Sequence, residues 1–142
     1  MGYFAKQILV LLISLTVLLS MCSGLRFKTH EVKECIRNDI GFGIDLTVHC
    51  RSDDDDLGVH DILYGGVYSF SFKPNIFGAT HFYCSFSWQN AEKSFDIYKD
   101  ERDYSRCEDC SWRVTEHYLC VSATDSLASP ETCYDWNGKF YL

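Results

Sequence analysis

The chain has 142 residues, with 13 Lys and Arg against 20 Asp and Glu for a formal net charge of −7, an aromatic content of 15% and 8 cysteines. An acidic chain gains nothing from phosphate counterion release, which argues against a nucleic-acid partner. Its apolar and aromatic content, with only 2 prolines, argues against disorder.

The N-terminus sets the compartment. Lys6 is the only early cation, and Gln7 to Ser20 then reads QILVLLISLTVLLS, followed by small residues at Ser20, Cys22, Ser23 and Gly24. A charge, an apolar run and small residues in that order make a secretory signal peptide. The run is short for a membrane span, which needs about 20 apolar residues. Residues 1–24 are therefore expected to be a signal cleaved after Gly24, leaving 25–142 as one domain in the extracellular space. A bacterial lipoprotein reading of LSMC fits less well, because Met21 stands where a small residue is needed. Loss of Lys6 leaves the remainder more acidic still, and such a charge favours solubility and steering toward a basic partner.

Seven cysteines follow: Cys35, Cys50, Cys84, Cys107, Cys110, Cys120 and Cys133. Outside the cell, that density builds a disulfide framework. An odd number allows at most three bridges within one chain and leaves one thiol over. Spacing alone does not assign the pairs.

Period-two alternation then recurs along the chain. An opening strand over Val32 to Asn38 is weakened by Glu34, which breaks the alternation. Ile44 to Cys50 alternates cleanly. Tyr68 to Phe72 puts rings on one face and serines on the other. Phe82, Cys84, Phe86 and Trp88 point inward from the next run, and Phe95 with Ile97 repeats the pattern briefly. Trp112 and Val114 repeat it again, with Tyr118 and Cys120 in the same phase. Ser122 to Thr132 is polar and irregular and reads as a loop before a last strand near Tyr134 to Asn137. Turn residues separate these runs: Gly41 and Gly43, Gly58, Gly65-Gly66, Pro74-Asn75 with Gly78, and Gln89-Asn90. Several short strands at even spacing, with no internal repeat and no long helical pattern in the domain, predict an all-β, disulfide-stabilised antiparallel β-sandwich.

These same residues carry a resemblance. Val48-His49-Cys50-Arg51-Ser52 followed by Asp54-Asp55-Asp56-Leu57-Gly58 resembles the hallmark of the plant self-incompatibility protein family, also called S-protein homologues. The likeness continues in order through Tyr68 to Phe72, Phe77-Gly78-Ala79-Thr80, Phe82 to Trp88 and Phe95-Asp96-Ile97-Tyr98. It ends with Cys107, Cys110-Ser111-Trp112, Cys120 and Cys133-Tyr134-Asp135-Trp136. It covers nearly the whole domain. The resemblance implies a small secreted plant protein with a β-sandwich closed by disulfides. It also implies a non-catalytic signalling ligand for a cell-surface receptor or membrane protein. The best-known members, secreted by the poppy stigma, bind a pollen membrane protein and trigger rejection of self pollen. The family pattern does not place a cysteine at Cys35. Cys35 is therefore the candidate free thiol, and Cys50, Cys84, Cys107, Cys110, Cys120 and Cys133 are the disulfide candidates. A monomer is expected, with a Cys35-linked dimer as the alternative.

Each conspicuous motif also has an ordinary structural reading. The run Asp53 to Asp56 invites calcium, but it lacks the alternate acids and distal Glu of an EF-hand loop. A solvated turn is the plainer reading, and an exposed loop at a sandwich end is also where recognition concentrates. Ser52, Asp53, Asp54, Asp55, Asp56 and Leu57 are thus the candidate partner-binding loop. Cys107-Glu108-Asp109-Cys110 has redox-pair spacing without the helix start such a pair needs, so a structural bridge is expected. His49 and Cys50, as neighbours on a strand, point to opposite faces and form no catalytic pair. The other histidines (His30, His60, His81 and His117) show no metal-ligand spacing. The His-Gly-Leu-Trp-Pro type motif of self-incompatibility ribonucleases is missing. No cofactor or metal is expected. Trp88, Trp112 and Trp136 stand beside cysteine-bearing segments, where core packing is favoured over sugar stacking. The alternative to a signalling ligand is a defence or toxin-like protein acting on membranes or cell-wall glycans.

Overall fold

The computed structural model describes residues 2–22, 31–124 and 130–141. The proposed cleavage point at Gly24 and part of the 122–132 loop lie outside them. Helix α1 (Gly2–Cys22) covers the apolar N-terminal run, and its side chains from residue 2 to 17 are all exposed. Among the described residues no helix is long and apolar enough to cross a membrane.

Ten strands follow: β1 (Val32–Asn38), β2 (Leu46–Arg51), β3 (Asp56–Ile62), β4 (Val67–Phe72), β5 (His81–Trp88), β6 (Ala91–Lys99), β7 (Asp109–Val114), β8 (Tyr118–Ala123), β9 (Thr132–Asp135) and β10 (Phe140–Tyr141). A single helical turn, α2 (Asp100–Asp103), interrupts them after β6. The strands form a six-stranded sheet in the order β10-β9-β8-β7-β1-β4 and a four-stranded sheet in the order β3-β2-β5-β6. The expected disulfide-stabilised sandwich is therefore the fold, with one departure from an antiparallel plan: β1 and β7 run parallel, Lys33 opposite Asp109 through Asn38 opposite Val114. A parallel neighbour needs a long crossover, and the chain from β2 through β6 and α2 supplies it.

Alternation builds the core between the sheets. Ile36, Leu46, Val48, Phe86, Ile97, Trp112, Val114, Leu119 and Val121 are all buried to within 1% of full burial. Each such aliphatic or aromatic side chain contributes roughly 1.5–3 kcal/mol of burial free energy.

The structure corrects the sequence reading at several places. Glu34 does not break the first strand: Val32, Glu34, Ile36 and Asn38 all point inward and are fully buried. On β8 it is Leu119 and Val121 that join the main core, while Cys120 is buried on the opposite side of the sheet, so the expected phase of Tyr118 and Cys120 is inverted. Asp56 and Leu57, expected in a loop, open strand β3. A bulge hid that strand: His49 faces Val59 and Arg51 faces Asp56, so Leu57 and Gly58 together oppose Cys50. Gly58 takes φ +76°, which suits the extra residue of a bulge and reads in sequence as a turn. The last strand ends at Asp135, not Asn137, because residues 136–139 turn back to bring β10 beside β9.

The cysteines pair as Cys50–Cys84, Cys107–Cys110 and Cys120–Cys133. Cys50 and Cys84 are direct cross-strand neighbours on β2 and β5, and Cys120 and Cys133 on β8 and β9, each with Cα atoms 4.0 Å apart. Among the described residues Cys35 is the free cysteine, half-buried on β1.

Candidate functional site

One end of the sandwich gathers the β2–β3 turn, the β4–β5 loop and α2. The β2–β3 turn is closed by Ser52. Its N–H donates to the Asp55 carbonyl at 2.8 Å, and its hydroxyl accepts from the N–H groups of Asp54 and Asp55 at 3.3 and 3.0 Å. Ser52 is thus the pin of the turn, and Asp53, Asp54 and Asp55 extend from it into solvent. Asp56 has a different job. Its carboxylate meets His49 Nε2 at 2.6 Å and accepts from the Gly58 N–H at 2.9 Å, which holds its pKa below the usual carboxylate range. Leu57 is half-buried and packs on the core. Of the six residues expected to form a binding loop, Asp53, Asp54 and Asp55 therefore stand in solvent, while Ser52, Asp56 and Leu57 hold the frame.

The β4–β5 loop is equally well held. Asn75 Oδ1 accepts from the N–H groups of Phe77 and Ala79 at 3.2 and 3.0 Å, and the Asn75 N–H donates to Thr80 Oγ1 at 2.7 Å. Gly78 takes φ +70°, which lets the chain reverse with its N–H donating to the Asn75 carbonyl. The loop is tied to α2, since the Asp100 N–H donates to the Thr80 carbonyl at 3.1 Å and buried Asp100 accepts from the Tyr98 hydroxyl. This frame raises Ile76 and Phe77 out of the fold, Phe77 to 82% exposure. In the sequence Phe77 figures only in the family resemblance and Ile76 not at all, because Pro74-Asn75 and Gly78 mark the segment as a turn. An apolar pair inside a strong turn signal was the available clue.

Between the acidic turn and this loop lies a groove of about 500 Å³, bordered by Asp53, Asp54, Asp55, Lys73, Asn75 and His81. On its outer wall His81 Nε2 meets Asp96 at 2.7 Å and Lys99 Nζ meets the same carboxylate at 2.8 Å. Partial burial works against ionisation of Asp96, but these two partners outweigh it and lower its pKa.

A second groove, of about 720 Å³, runs between the β6 and β9–β10 edges past Arg102, Tyr134, Trp136 and Phe140. Trp88 and Trp112 are core residues at 6% and 1% exposure. Trp136 is half-buried, rests on Phe86 and Trp88, and donates from Nε1 to the Glu116 carbonyl at 2.9 Å. Of the three tryptophans, only Trp136 lines this groove.

The other sequence candidates are structural. His49 and Cys50 point to opposite faces, with Cys50 in the core bridge and His49 engaged by Asp56. The imidazole of His60 stacks on Tyr68, with ring centres 4.0 Å apart. Glu131 lies beside the Cys120 and Cys133 sulfurs, but those sulfurs are joined in a disulfide and offer no thiolate to a metal.

Comparison with known proteins agrees with this architecture. Residues 35–136 match the family model of plant self-incompatibility protein S1. S-protein homolog 2 of Arabidopsis thaliana is 42% identical over 120 residues, 81% of this chain and 74% of that protein. S-protein homolog 29 of the same plant is 36% identical over 133 residues, 94% of this chain and 97% of that protein. A solved structure, described as one of self-incompatibility protein homologues, "a widespread family of small, highly stable, secreted proteins from plants", superposes with a TM-score of 0.54. That superposition covers 68% of this chain and 88% of the other at 19% identity, and it speaks to the fold.

Proposed function

This chain belongs to the plant self-incompatibility protein S1 family, and from that membership we propose that it is a secreted, non-catalytic ligand read by a cell-surface protein. The observation that carries the reading is the end of the sandwich built by the β2–β3 turn and the β4–β5 loop. Three exposed carboxylates line a groove together with Asn75, Ala79 and Thr80 of the loop that carries exposed Phe77, and each loop is locked by its own hydrogen bonds. An apolar anchor beside fixed charge is how a preorganised surface binds a protein partner at low entropic cost. The acidic side favours a basic receptor surface. The apolar N-terminal segment supports secretion by the signal-peptide route. Recognition of pollen by pistil tissue is one setting for such a ligand, and cell-to-cell signalling in another tissue is the other. The tissue that makes the transcript separates them.

The binding test is direct. Fluorescently labelled protein should label intact plant cells of the responding tissue saturably. The triple variant Asp53→Ala/Asp54→Ala/Asp55→Ala, and separately Phe77→Ser, should lose that labelling while keeping the wild-type circular dichroism. Labelling unchanged by both variants would remove this face from the interface.

A further inference from the structure

The four sheet edges of this sandwich are treated very differently. The β10 edge is two residues long. The β6 edge is covered where Arg102 Nη2 donates to the Asp96 and Ile97 carbonyls at 2.7 and 3.1 Å, and it bears exposed Glu92 and Lys93. The β3 edge is bulged and carries Asp56, His60 and Asp61. Charges, bulges, short strands and covering groups are the devices that stop sheet edges pairing with other chains.

Among the described residues the β4 edge has none of them. Val67-Tyr68-Ser69-Phe70-Ser71-Phe72 contains no charge and no proline, and it pairs with β1 through six successive residues without a register shift. Its outward residues Val67, Ser69 and Ser71 are exposed. Its inward rings, Tyr68, Phe70 and Phe72, are only half-buried, because among the described residues no strand lies beyond them to complete their cover. They stack along the strand with successive ring centres 5.9 and 6.0 Å apart.

We propose that β4 pairs antiparallel with β4 of a second copy of this chain, joining two six-stranded sheets into one continuous sheet. The strand is complementary to itself. With Phe70 opposite its own counterpart across a two-fold axis, Tyr68 faces Phe72 of the second copy and Ser69 faces Ser71 of the second copy. Every central pair is then aromatic on aromatic or hydroxyl on hydroxyl, both favourable cross-strand combinations, and no like charges meet. A foreign strand would have to reproduce that alternation, whereas the second copy carries it by construction. The symmetry is the closed, isologous kind that ends at a dimer.

The arrangement also excludes the Cys35-linked dimer. Cys35 lies on β1 opposite Ser69. In the joined sheet the two Cys35 residues are three strand spacings apart, about 14 Å, beyond the roughly 7 Å that a disulfide allows between Cα atoms. The dimer is non-covalent. Because the copies carry like net charge, added salt strengthens it.

Sedimentation velocity of the purified, oxidised protein from micromolar to millimolar concentration should show the mass doubling. Prior alkylation of Cys35 should not change that. Amide exchange should slow with concentration in residues 67–72 and not at the other three edges. Ser69→Lys/Ser71→Lys, which charges the edge from exposed positions, should stay monomeric. A monomer at millimolar concentration, a doubling abolished by alkylation, or exchange protection confined to another edge would overturn the proposal. If the lysine variant does not fold, the wild-type exchange pattern decides alone.

Discussion

The indole Nε1–H of Trp112 donates to Glu34 Oε2 at 2.9 Å inside the core, across the parallel pair β1–β7. Both residues are buried, and the other oxygen, Glu34 Oε1, has no hydrogen-bond partner among the described residues. A carboxyl in such a place resists ionisation. Desolvation pushes its pKa well above the ordinary 4.5, against the lowering effect of the indole bond, with Asp103 adding to the rise.

That relationship makes stability depend on pH. Above 4.5 the unfolded chain loses the Glu34 proton while the folded chain keeps it, so ΔG of unfolding falls as pH rises toward the folded pKa. The slope is about 1.4 kcal/mol per pH unit for one proton. Glu34→Gln keeps an acceptor for Trp112 and removes the titration. Urea unfolding should show the slope flattened and the variant more stable than wild type at neutral pH. Trp112→Phe leaves the carboxyl without its donor and should cost about 1–3 kcal/mol beyond lost packing.

Arg102 should be among the least replaceable surface-proximal residues. Its guanidinium pairs with Asp103 at 2.7 Å, donates to two β6 carbonyls and lies 5.5–5.6 Å from the ring centres of Phe95, Trp112 and Tyr134. Asp103 is 2% exposed. Arg102→Ala leaves the buried Asp103 carboxylate with only the Lys99 N–H at 2.9 Å and the Arg106 guanidinium at 3.4 Å, and should cost about 1–3 kcal/mol. Arg102→Lys should recover only part of this, since an ammonium cannot span the carboxylate and the two carbonyls together. Thermal and urea midpoints of the two variants check the order.

The three bridges should differ in value according to the loops they close. Cys50–Cys84 spans 34 residues of sequence, Cys120–Cys133 spans 13 and Cys107–Cys110 spans 3. Paired alanine variants should lose stability in that order, about 3–4 kcal/mol for the first by the chain-entropy estimate. Cys50→Ala/Cys84→Ala should lose more still, because both side chains are fully buried in the main core. Equal losses for the first and third would contradict the ranking.

Cys35 should react slowly. Partial burial raises its pKa above the ordinary 9.0, outweighing the nearby Lys33 ammonium. At neutral pH its thiolate fraction, and hence its iodoacetamide rate, should fall below that of a free peptide cysteine and climb as pH rises. Mass spectrometry of the unreduced protein should find the label at Cys35.

Much of the fold was legible because strands write their burial into the sequence as alternation. Ile44 to Cys50 and Phe82 to Trp88 alternate so strictly that their faces are assigned by eye, and the turn residues around them fix where the chain reverses. Where one polar residue serves the core, that logic fails. Glu34 reads as an interruption because its single donor is an indole 78 residues away. Gly58 reads as a turn because a bulge and a turn ask for the same positive φ.

The sequence by itself determined the β class, the set of cysteines available for bridging and the acidic turn, since each rests on composition or local spacing. Only the tertiary structure decided which cysteines meet, that β1 runs parallel to β7, that the loop carrying Phe77 shares a groove with Asp53 to Asp55, and that β4 has an open edge among the described residues. These are relations between segments far apart in the chain. They follow from how two sheets cover one another, a property of the whole set of strands that no local window of residues contains.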